Sequence, residues 1–131
     1  MYLLDTNAVI AALKGHAGIL TRIKAHAPQD VAISSVVAHE LYYGAFRSAR
    51  TQDNLARVDA LQFPVVEFDR DDARCAGEIR AGLAFAGSPI GPYDVLIAGQ
   101  ALSRSLILVT RNGREFSRVG ELKIENWEDQ S

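Results

Sequence analysis

Short apolar runs that alternate with helical stretches are the feature that most constrains the fold of this chain. The runs cover residues 1–4, 31–34, 63–68, 106–110 and 122–124. Between the runs, apolar residues recur at the three- and four-residue spacing of helices that bury one face. The predicted helices cover residues 9–13, 19–26, 36–49, 51–61, 69–85 and 93–103, with a short helix inside residues 111–118. Strands joined through helices pair in parallel, so we predict an α/β fold, a three-layer domain with a central parallel β-sheet flanked by helices.

Length and composition exclude several other classes of protein. The chain has 131 residues, so we expect residues 1–131 to form a single domain. Hydrophobic residues make up 48% and charged residues 23%, which excludes a disordered or disulfide-stapled chain. The apolar runs are far shorter than the roughly 20 residues that span a bilayer, and the first residues lack a signal-peptide pattern. The lone Cys75 fits a reducing compartment, so we expect a cytoplasmic protein without membrane contact.

Three carboxylates follow predicted strands or begin predicted helices. Asp5 ends the first strand, Asp94 lies in the first turn of the helix opened by Pro92, and Glu115 follows the fourth strand. The carboxyl ends of parallel strands form the edge of a sheet where ligands bind. Simpler interpretations stay open, since Asp5 suits a helix N-cap and a first-turn acid such as Asp94 suits the helix dipole.

Glu40 is less easily explained as a surface residue. On a helical wheel it lies between Val36 and Val37, in the apolar stripe of its helix. A glutamate in that position loses hydration unless it is paired or binds a metal, and a buried ion pair with an arginine is the alternative. The preceding His39 begins a zinc-protease motif, but Tyr43 stands where the second histidine is required. A zinc protease is therefore excluded.

Together the four acids predict a site for a hard divalent cation beside a basic segment. Clustered carboxylates without His or Cys are typical ligands of Mg²⁺ or Mn²⁺, which serve phosphoryl transfer. Residues 104–118 have a net charge of +3 in a chain whose overall charge is −2. Arginine forks fit phosphate oxygens, so this segment suits a polyanionic substrate, unless it is only a solvated loop. The arginines are Arg104, Arg111, Arg114 and Arg118.

Four sequence motifs resemble, in order and spacing, the PIN-domain ribonuclease toxins of VapBC toxin–antitoxin modules. The motifs are YLLDTNAVIAALKG, ISSVVAHELYYGA, GPYDVLIAGQA and LVTRNGREFSRVGELKIENW. The resemblance spans essentially the whole chain. It implies a PIN-like fold and an endoribonuclease, a hydrolase that cleaves RNA phosphodiester bonds with Mg²⁺ or Mn²⁺.

The resemblance also assigns roles to individual residues. It places the metal ligands at Asp5, Glu40 and Asp94 and a fourth catalytic acid at Glu115, where the family often has Asp. Polar support for the pocket falls on Thr6, Asn7, Thr110 and Asn112, and the predicted RNA phosphate contacts are Arg111, Arg114 and Arg118.

The partners that the resemblance implies are an RNA and a protein. The variant motifs look most like the branch that cuts initiator tRNA in its anticodon stem-loop. A cognate VapB-like antitoxin is expected to place its C-terminal tail in the active site, with an arginine against the acids. We expect a homodimer and a higher-order complex with the antitoxin. The apolar residues expected to contact it are Val9, Ile10, Leu13, Ile19, Ile23, Tyr42 and Tyr43.

Two other interpretations were weighed against this one. A phosphohydrolase of the haloacid-dehalogenase type also has Asp after its first strand, but it needs a second acid two residues later, where this chain has Asn7. A non-catalytic or housekeeping PIN-like RNA-binding protein or nuclease without an antitoxin stays open as the alternative function. Non-catalytic modules of that kind typically lose one or more acids, whereas all four positions are acidic here.

Overall fold

The computed structural model describes residues 1–128, which fold around a five-stranded parallel sheet. The strands are β1 (Tyr2–Leu4), β2 (Val31–Ser34), β3 (Val65–Val66), β4 (Ile107–Val109) and β5 (Ile124–Glu125). The helices are α1 (Thr6–Leu13), α2 (Ala17–Lys24), α3 (Ser35–Arg47), α4 (Thr51–Asp59), α5 (Arg70–Phe85), α6 (Pro92–Ser103) and α7 (Gly113–Phe116). Across the sheet the order is β3-β2-β1-β4-β5. The predicted α/β fold and its order of elements are confirmed.

The central strand β1 explains why the sheet needs helices on both sides. Leu3 and Leu4 point to opposite faces of the sheet, and both are completely buried. Leu4 pairs with Ile33 of β2 on one side and Val109 of β4 on the other. A strand that is apolar on both faces is typical of a parallel sheet covered by helices. The hydrophobic core therefore lies on both sides of β1.

Polar residues directly after the strands begin the next helices. The Ser34 hydroxyl accepts a hydrogen bond from the Val36 N–H and caps α3 at the end of β2. Asp69 and Asp72 form a reciprocal capping box at the start of α5. Pro92 occupies the first turn of α6, where its missing N–H leaves no hydrogen bond unmade. The short β2–α3 junction carries the start of α3 directly to the carboxyl edge of the sheet.

The edge strands are shorter than the sequence predicts. Of predicted residues 63–68, only Val65 and Val66 pair, because β3 lies at the edge with β2 as its sole neighbour and Pro64 has no N–H to donate. Phe63 packs against the core instead. The last strand covers residues 124–125 and not 122–124. The length of an edge strand therefore depends on pairing with the neighbouring strand and not on the length of the apolar run.

A buried ion pair joins α5 to α6 and corrects one expectation. Asp72 is completely buried, and Arg104 donates to both of its carboxylate oxygens at 3.1–3.3 Å. Arg104 also donates to Asp69 Oδ2 at 3.1 Å and to the Glu67 carbonyl at 2.9 Å. Burial is the largest influence on the pKa of Asp72 and raises it, but the hydrogen bonds from Arg104, the Asp69 backbone, Gln100 and Ser103 together turn the net shift downward. Arg104 therefore stabilises the helix pair and is not part of a phosphate-binding segment.

No helix within residues 1–128 combines the length and the apolar character that a membrane span requires.

Candidate active site

Asp5 sits at the end of the central strand and performs two tasks. Its Oδ1 accepts a hydrogen bond from the Ala8 N–H at 2.8 Å and caps α1. The sequence left open that Asp5 is a helix N-cap, and the structure shows that it is. Asp5 is only 3% exposed, and burial raises its pKa despite the lowering effect of Thr110 and the Ala8 N–H. A capping Asp thus keeps a carboxylate at the sheet edge.

Glu40 reaches the same region from the second turn of α3. The Thr6 hydroxyl donates a hydrogen bond of 2.7 Å to Glu40 Oε1 and links α1 to α3. Glu40 is half-buried, as its place in the apolar stripe predicts. Its partner is a hydroxyl and not the arginine of the alternative interpretation. Thr6, which directly follows Asp5 in the sequence, therefore holds Glu40 towards Asp5.

Asp94 is the centre of the acidic cluster. Burial raises its pKa, and the negative charges of Glu115, Asp5 and Glu40 raise it further, to about 6. A hydrogen bond with Glu115 adds to the effect. The order of these influences shows that Glu115 is the nearest of the three acids in electrostatic terms. The structure therefore brings together all four carboxylates that the sequence singled out.

Glu115 is held in its ionised form by donors on both sides. The Gly91 N–H donates to Oε1 at 2.8 Å, and the Asn112 side-chain amide donates to Oε2 at 2.8 Å. These two bonds lower the pKa of Glu115, and the charge of Arg118 lowers it further. The Asn112 N–H in turn donates to Thr110 Oγ1 at 2.9 Å, which ties the β4–α7 loop together. Asn112 thus contacts Glu115 directly, and Thr110 holds the backbone of Asn112 in place.

Gly91 is a site residue that the sequence interpretation treated only as part of a loop. A Cβ atom there would lie 3.1 Å from Asp94 Oδ2 and 3.7 Å from Glu115 Oε1. A larger residue would therefore push into the gap between the two acids, while its N–H would still be needed to hold Glu115. The Gly91-Pro92 pair, separated from Asp94 only by Tyr93, is the sequence signal that could have pointed to it.

The cations of the basic segment do not all reach the acids. The charges of Arg111 and Arg118 act on Asp5 and Glu115 respectively. Arg118 also donates to the Pro89 carbonyl at 3.0 Å, which places it against the loop before α6. Arg114 is exposed on α7, and no hydrogen bond or ion pair joins it to the four acids within residues 1–128.

The chemistry of the four acidic side chains suits a hard divalent cation, but hydrogen bonds to other residues hold two of them. All four acidic side chains offer carboxylate oxygens, which Mg²⁺ and Mn²⁺ prefer. Within the described part of the chain, no three His, Cys, Asp or Glu side chains already converge as a metal-binding group. Glu40 and Glu115 instead hold hydrogen bonds to Thr6, Gly91 and Asn112. Burial is the largest cause of the raised pKa of Asp94, and the negative charges of Glu115, Asp5 and Glu40 add to it, so a cation would relieve part of the shift.

Of the residues expected to contact the antitoxin, some lie in the hydrophobic core and others lie at the surface. Val9 and Ile19 are completely buried in the hydrophobic core, so the expectation that they face a partner is wrong. Their burial follows from the tight packing of α1 and α2 against the sheet. Ile10 and Leu13 are half-buried and line an apolar groove of about 250 Å³ between α1, α3 and α4, which Glu40 also lines. Tyr43 is 57% exposed on α3.

Comparison with known proteins decides the family. The sequence pattern of the PIN domain family matches residues 2–122 of this chain. The chain is 43% identical over 129 residues to the tRNA(fMet)-specific endonuclease VapC of Shigella flexneri, covering 96% of this chain and 97% of that protein. The chain belongs to the PIN-domain family of VapC ribonucleases. The ribonuclease class expected from the sequence motifs is thereby confirmed, and the non-catalytic alternative gains no support.

Solved structures of VapBC complexes share the fold over almost the whole chain. DNA-bound VapBC from Salmonella typhimurium has a TM-score of 0.92 and 41% identity, covering 96% of this chain and 97% of that chain. VapBC2 from Rickettsia felis, bound to a DNA fragment from its promoter, has a TM-score of 0.90 and 33% identity, covering 96% and 98%. The PIN-like fold expected from the motifs is confirmed.

Proposed function

We propose that this VapC-family ribonuclease cleaves RNA with a divalent cation, Mg²⁺ or Mn²⁺, held by Asp5, Glu40 and Asp94, with Glu115 as the fourth catalytic acid. The observation that carries the proposal is the electrostatic coupling of all four acids at Asp94, whose pKa rises to about 6. The acids come from four separate elements or junctions, so only the folded chain assembles them. Without a counter-charge such a cluster destabilises the fold, which is the cost of a functional site.

When bound, the cation would activate a water molecule and neutralise charge on the phosphodiester oxygens. The residues of the chain have defined tasks around it. Asp5 is fixed by the cap of α1, and Glu40 is fixed by the Thr6 hydroxyl. Glu115 is kept ionised by two N–H donors and lies beside Asp94. The raised pKa of Asp94 and the lowered pKa of Glu115 therefore give these two neighbouring acids different proton affinities.

The substrate that we propose is initiator tRNA, cut in its anticodon stem-loop. The proposal is supported by the name of the Shigella flexneri relative, a tRNA(fMet)-specific endonuclease. Arg111 and Arg118 flank the acids and would contact RNA phosphates on either side of them. Arg114, exposed on α7, would contact a phosphate farther from the cleaved bond.

The partner that we propose is a VapB-like antitoxin whose C-terminal tail blocks the acids with an arginine. The likeness to solved VapBC complexes supports this. The apolar groove between α1, α3 and α4 would receive the apolar part of the tail, because Glu40 lies at its border. We further propose that residues 1–131 act as one cytoplasmic PIN domain, and that two copies form a homodimer within a larger complex with the antitoxin.

The test is cleavage of purified initiator tRNA with Mg²⁺, with Mn²⁺ and with EDTA. Asp94→Asn and Asp5→Asn keep the shape of the side chain, and Asn still caps α1, but each removes one charge from the cluster. We expect cleavage to fall by a factor of roughly 100 or more in each variant, since a catalytic group contributes about that much. Mapping of the cleaved ends would locate the cut in the anticodon stem-loop.

Asp71→Asn is the matched control, because Asp71 is exposed in the first turn of α5. It removes the same charge from the same kind of position, away from the acids. Circular dichroism melts would show that all variants fold. Cleavage by Asp94→Asn at the parent rate, or cleavage unaffected by EDTA, would contradict the proposal. Cleavage of other RNAs with initiator tRNA intact would contradict only the choice of substrate.

A further inference from the structure

A second, polar groove runs along α1 next to the apolar groove, and the two grooves share Ile10 and Lys14. It has a volume of about 300 Å³ and lies between the end of α1, the start of α2, the β4–α7 loop and the C-terminal segment. Its polar lining residues are Asn7, Lys14, His16, Arg111 and Glu128. That volume is at the low end for ligand sites, so the groove holds a short stretch of chain and not a folded domain.

The groove begins at the candidate active site. Asn7 is two residues after Asp5, and Arg111 directly follows Thr110, whose side chain acts on Asp5. The charges of Arg111 and Glu128 both act on Asp5, in opposite directions. Asn7 and Arg111 therefore place the groove beside Asp5.

The charges in the groove suit a single anion. Lys14 is exposed at the end of α1, and the Arg111 side chain is 60% exposed. His16 Nδ1 accepts a hydrogen bond from the Ile19 N–H at 3.3 Å, so the neutral ring carries its hydrogen on Nε2 and can donate it. The one acid in the lining, Glu128, is only 14% exposed, and its Oε1 lies 4.0 Å from Arg111 Nη1. A carboxylate thus stands beside the cations where a bound anion would lie.

The anchoring of the C-terminal segment explains why Glu128 stays there. The adjacent Trp127 is 1% exposed, and its ring stacks on His26 at 5.2 Å between centroids. The indole Nε1–H of Trp127 donates to Glu125 Oε1 at 2.9 Å. The segment before Glu128 is therefore fixed, while the 4.0 Å separation leaves its ion pair with Arg111 loose.

We propose that this groove binds the sugar–phosphate backbone of the RNA next to the cleaved bond, with a phosphate taking the place of the Glu128 carboxylate between Lys14 and Arg111. The inference rests on the proposed function and extends its binding site to Lys14, His16 and Glu128. A peptide fits the other groove better, because Leu41 and Val58 line that one and it offers an apolar surface. The ridge between the two grooves is formed by Ile10 and Lys14, which line both.

The test measures RNA binding separately from cleavage. Fluorescence anisotropy with a labelled anticodon stem-loop of initiator tRNA, in EDTA, gives the Kd of the full chain without catalysis. Lys14→Ala and Arg111→Ala should each weaken binding roughly three- to tenfold, as expected for one charge-assisted contact. Each should also reduce the dependence of log Kd on log salt by about 0.7. Glu128→Gln should tighten binding, by roughly threefold, because the competing carboxylate is lost.

Lys24→Ala is the matched control, because Lys24 is exposed in the last turn of α2 and lines a different groove. It should leave both the Kd and the salt dependence unchanged. The opposite signs at Glu128 and Arg111 are a result that general loss of stability would not produce. Unchanged or weaker binding by Glu128→Gln, or Lys14→Ala binding like the control, would overturn the inference.

Cleavage of the same RNA by the parent chain with Mn²⁺ separates this inference from the proposed function. If the parent cleaves the RNA but the variants all bind it with the parent's Kd, the proposed function is supported and the proposed RNA-binding role of the groove is refuted. A parent that binds but does not cut would refute the proposed function, and the binding series would still decide the groove.

Discussion

Asp94→Asn should stabilise the metal-free protein at neutral pH, although it removes activity. Asp94 has a pKa of about 6 instead of 3.8. Keeping it ionised in the fold therefore costs roughly 3 kcal/mol, at about 1.4 kcal/mol for each pH unit. Solvent screening of a half-buried carboxylate lowers the expected gain to about 1–2 kcal/mol. The asparagine amide also donates a hydrogen bond that the ionised aspartate cannot offer to Glu115.

The pH dependence of the effect follows from the direction of the pKa shift. Below about pH 3.8 Asp94 is protonated in both the folded and the unfolded state, so its ionisation does not change the free energy of unfolding. Between pH 3.8 and about 6 the unfolded state loses its proton first, and the fold loses stability as pH rises. Above about pH 6 the full cost is present. The gain from Asp94→Asn should therefore grow from pH 4 to pH 6.5 and then level off.

Urea denaturation in EDTA between pH 4 and pH 8 measures this gain as the difference in free energy of unfolding. Asp71→Asn serves again as the exposed control and should show little change at any pH. Addition of Mn²⁺ should then stabilise the parent more than Asp94→Asn, because a ligand that binds only the folded state adds to its stability. The electrostatic argument would be refuted if Asp94→Asn were less stable than the parent at pH 7, or if its gain in free energy of unfolding did not change with pH.

Four further results are expected. Arg104→Met should lower the free energy of unfolding by about 2–4 kcal/mol in urea melts, because it leaves Asp72 buried without its cation; an unchanged midpoint would contradict the role of the ion pair. Gly99→Ala should destabilise the fold by about 1–3 kcal/mol or more, since its Cβ would lie 2.5 Å from Ala76 Cβ. Gly77→Ala, which meets open space on the same helix pair, should instead stabilise it by about 0.5–1 kcal/mol. A metal-stripped sample should melt at a higher temperature in millimolar Mg²⁺ or Mn²⁺, and a flat response would count against a metal site.

Much of the fold could be predicted because its determinants are local. The apolar runs and the helical spacing between them located the elements and their order, and Asp69 and Pro92 marked two helix starts. Glu40 stood out because it lies in the apolar stripe of its helix, and Asp5 and Asp94 stood out because they lie at a strand end and a helix start. What failed were strand lengths, such as the two paired residues of β3, because pairing depends on the neighbouring strand and not on the run itself.

The hydrogen-bond and ion-pair partners of the polar side chains also could not be predicted from the local sequence pattern. Arg104 looked like one cation of a basic segment, but it is paired with Asp72, which is 32 residues away in sequence. Val9 and Ile19 looked like interface residues, but they are in the core. Amphipathic spacing gives the direction of a side chain and not the identity of what covers it.

The sequence by itself determined the parallel α/β plan, the residue types of the site and their places at strand ends and helix starts. Only the tertiary structure decided that Asp5, Glu40, Asp94 and Glu115 act on one another, and that Gly91 leaves room for two of them. The reason is that side-chain direction and helix capping are set by residues a few positions apart. Charge coupling depends instead on distances through space, between elements as far apart as α1 and α7, which exist only after the chain has folded.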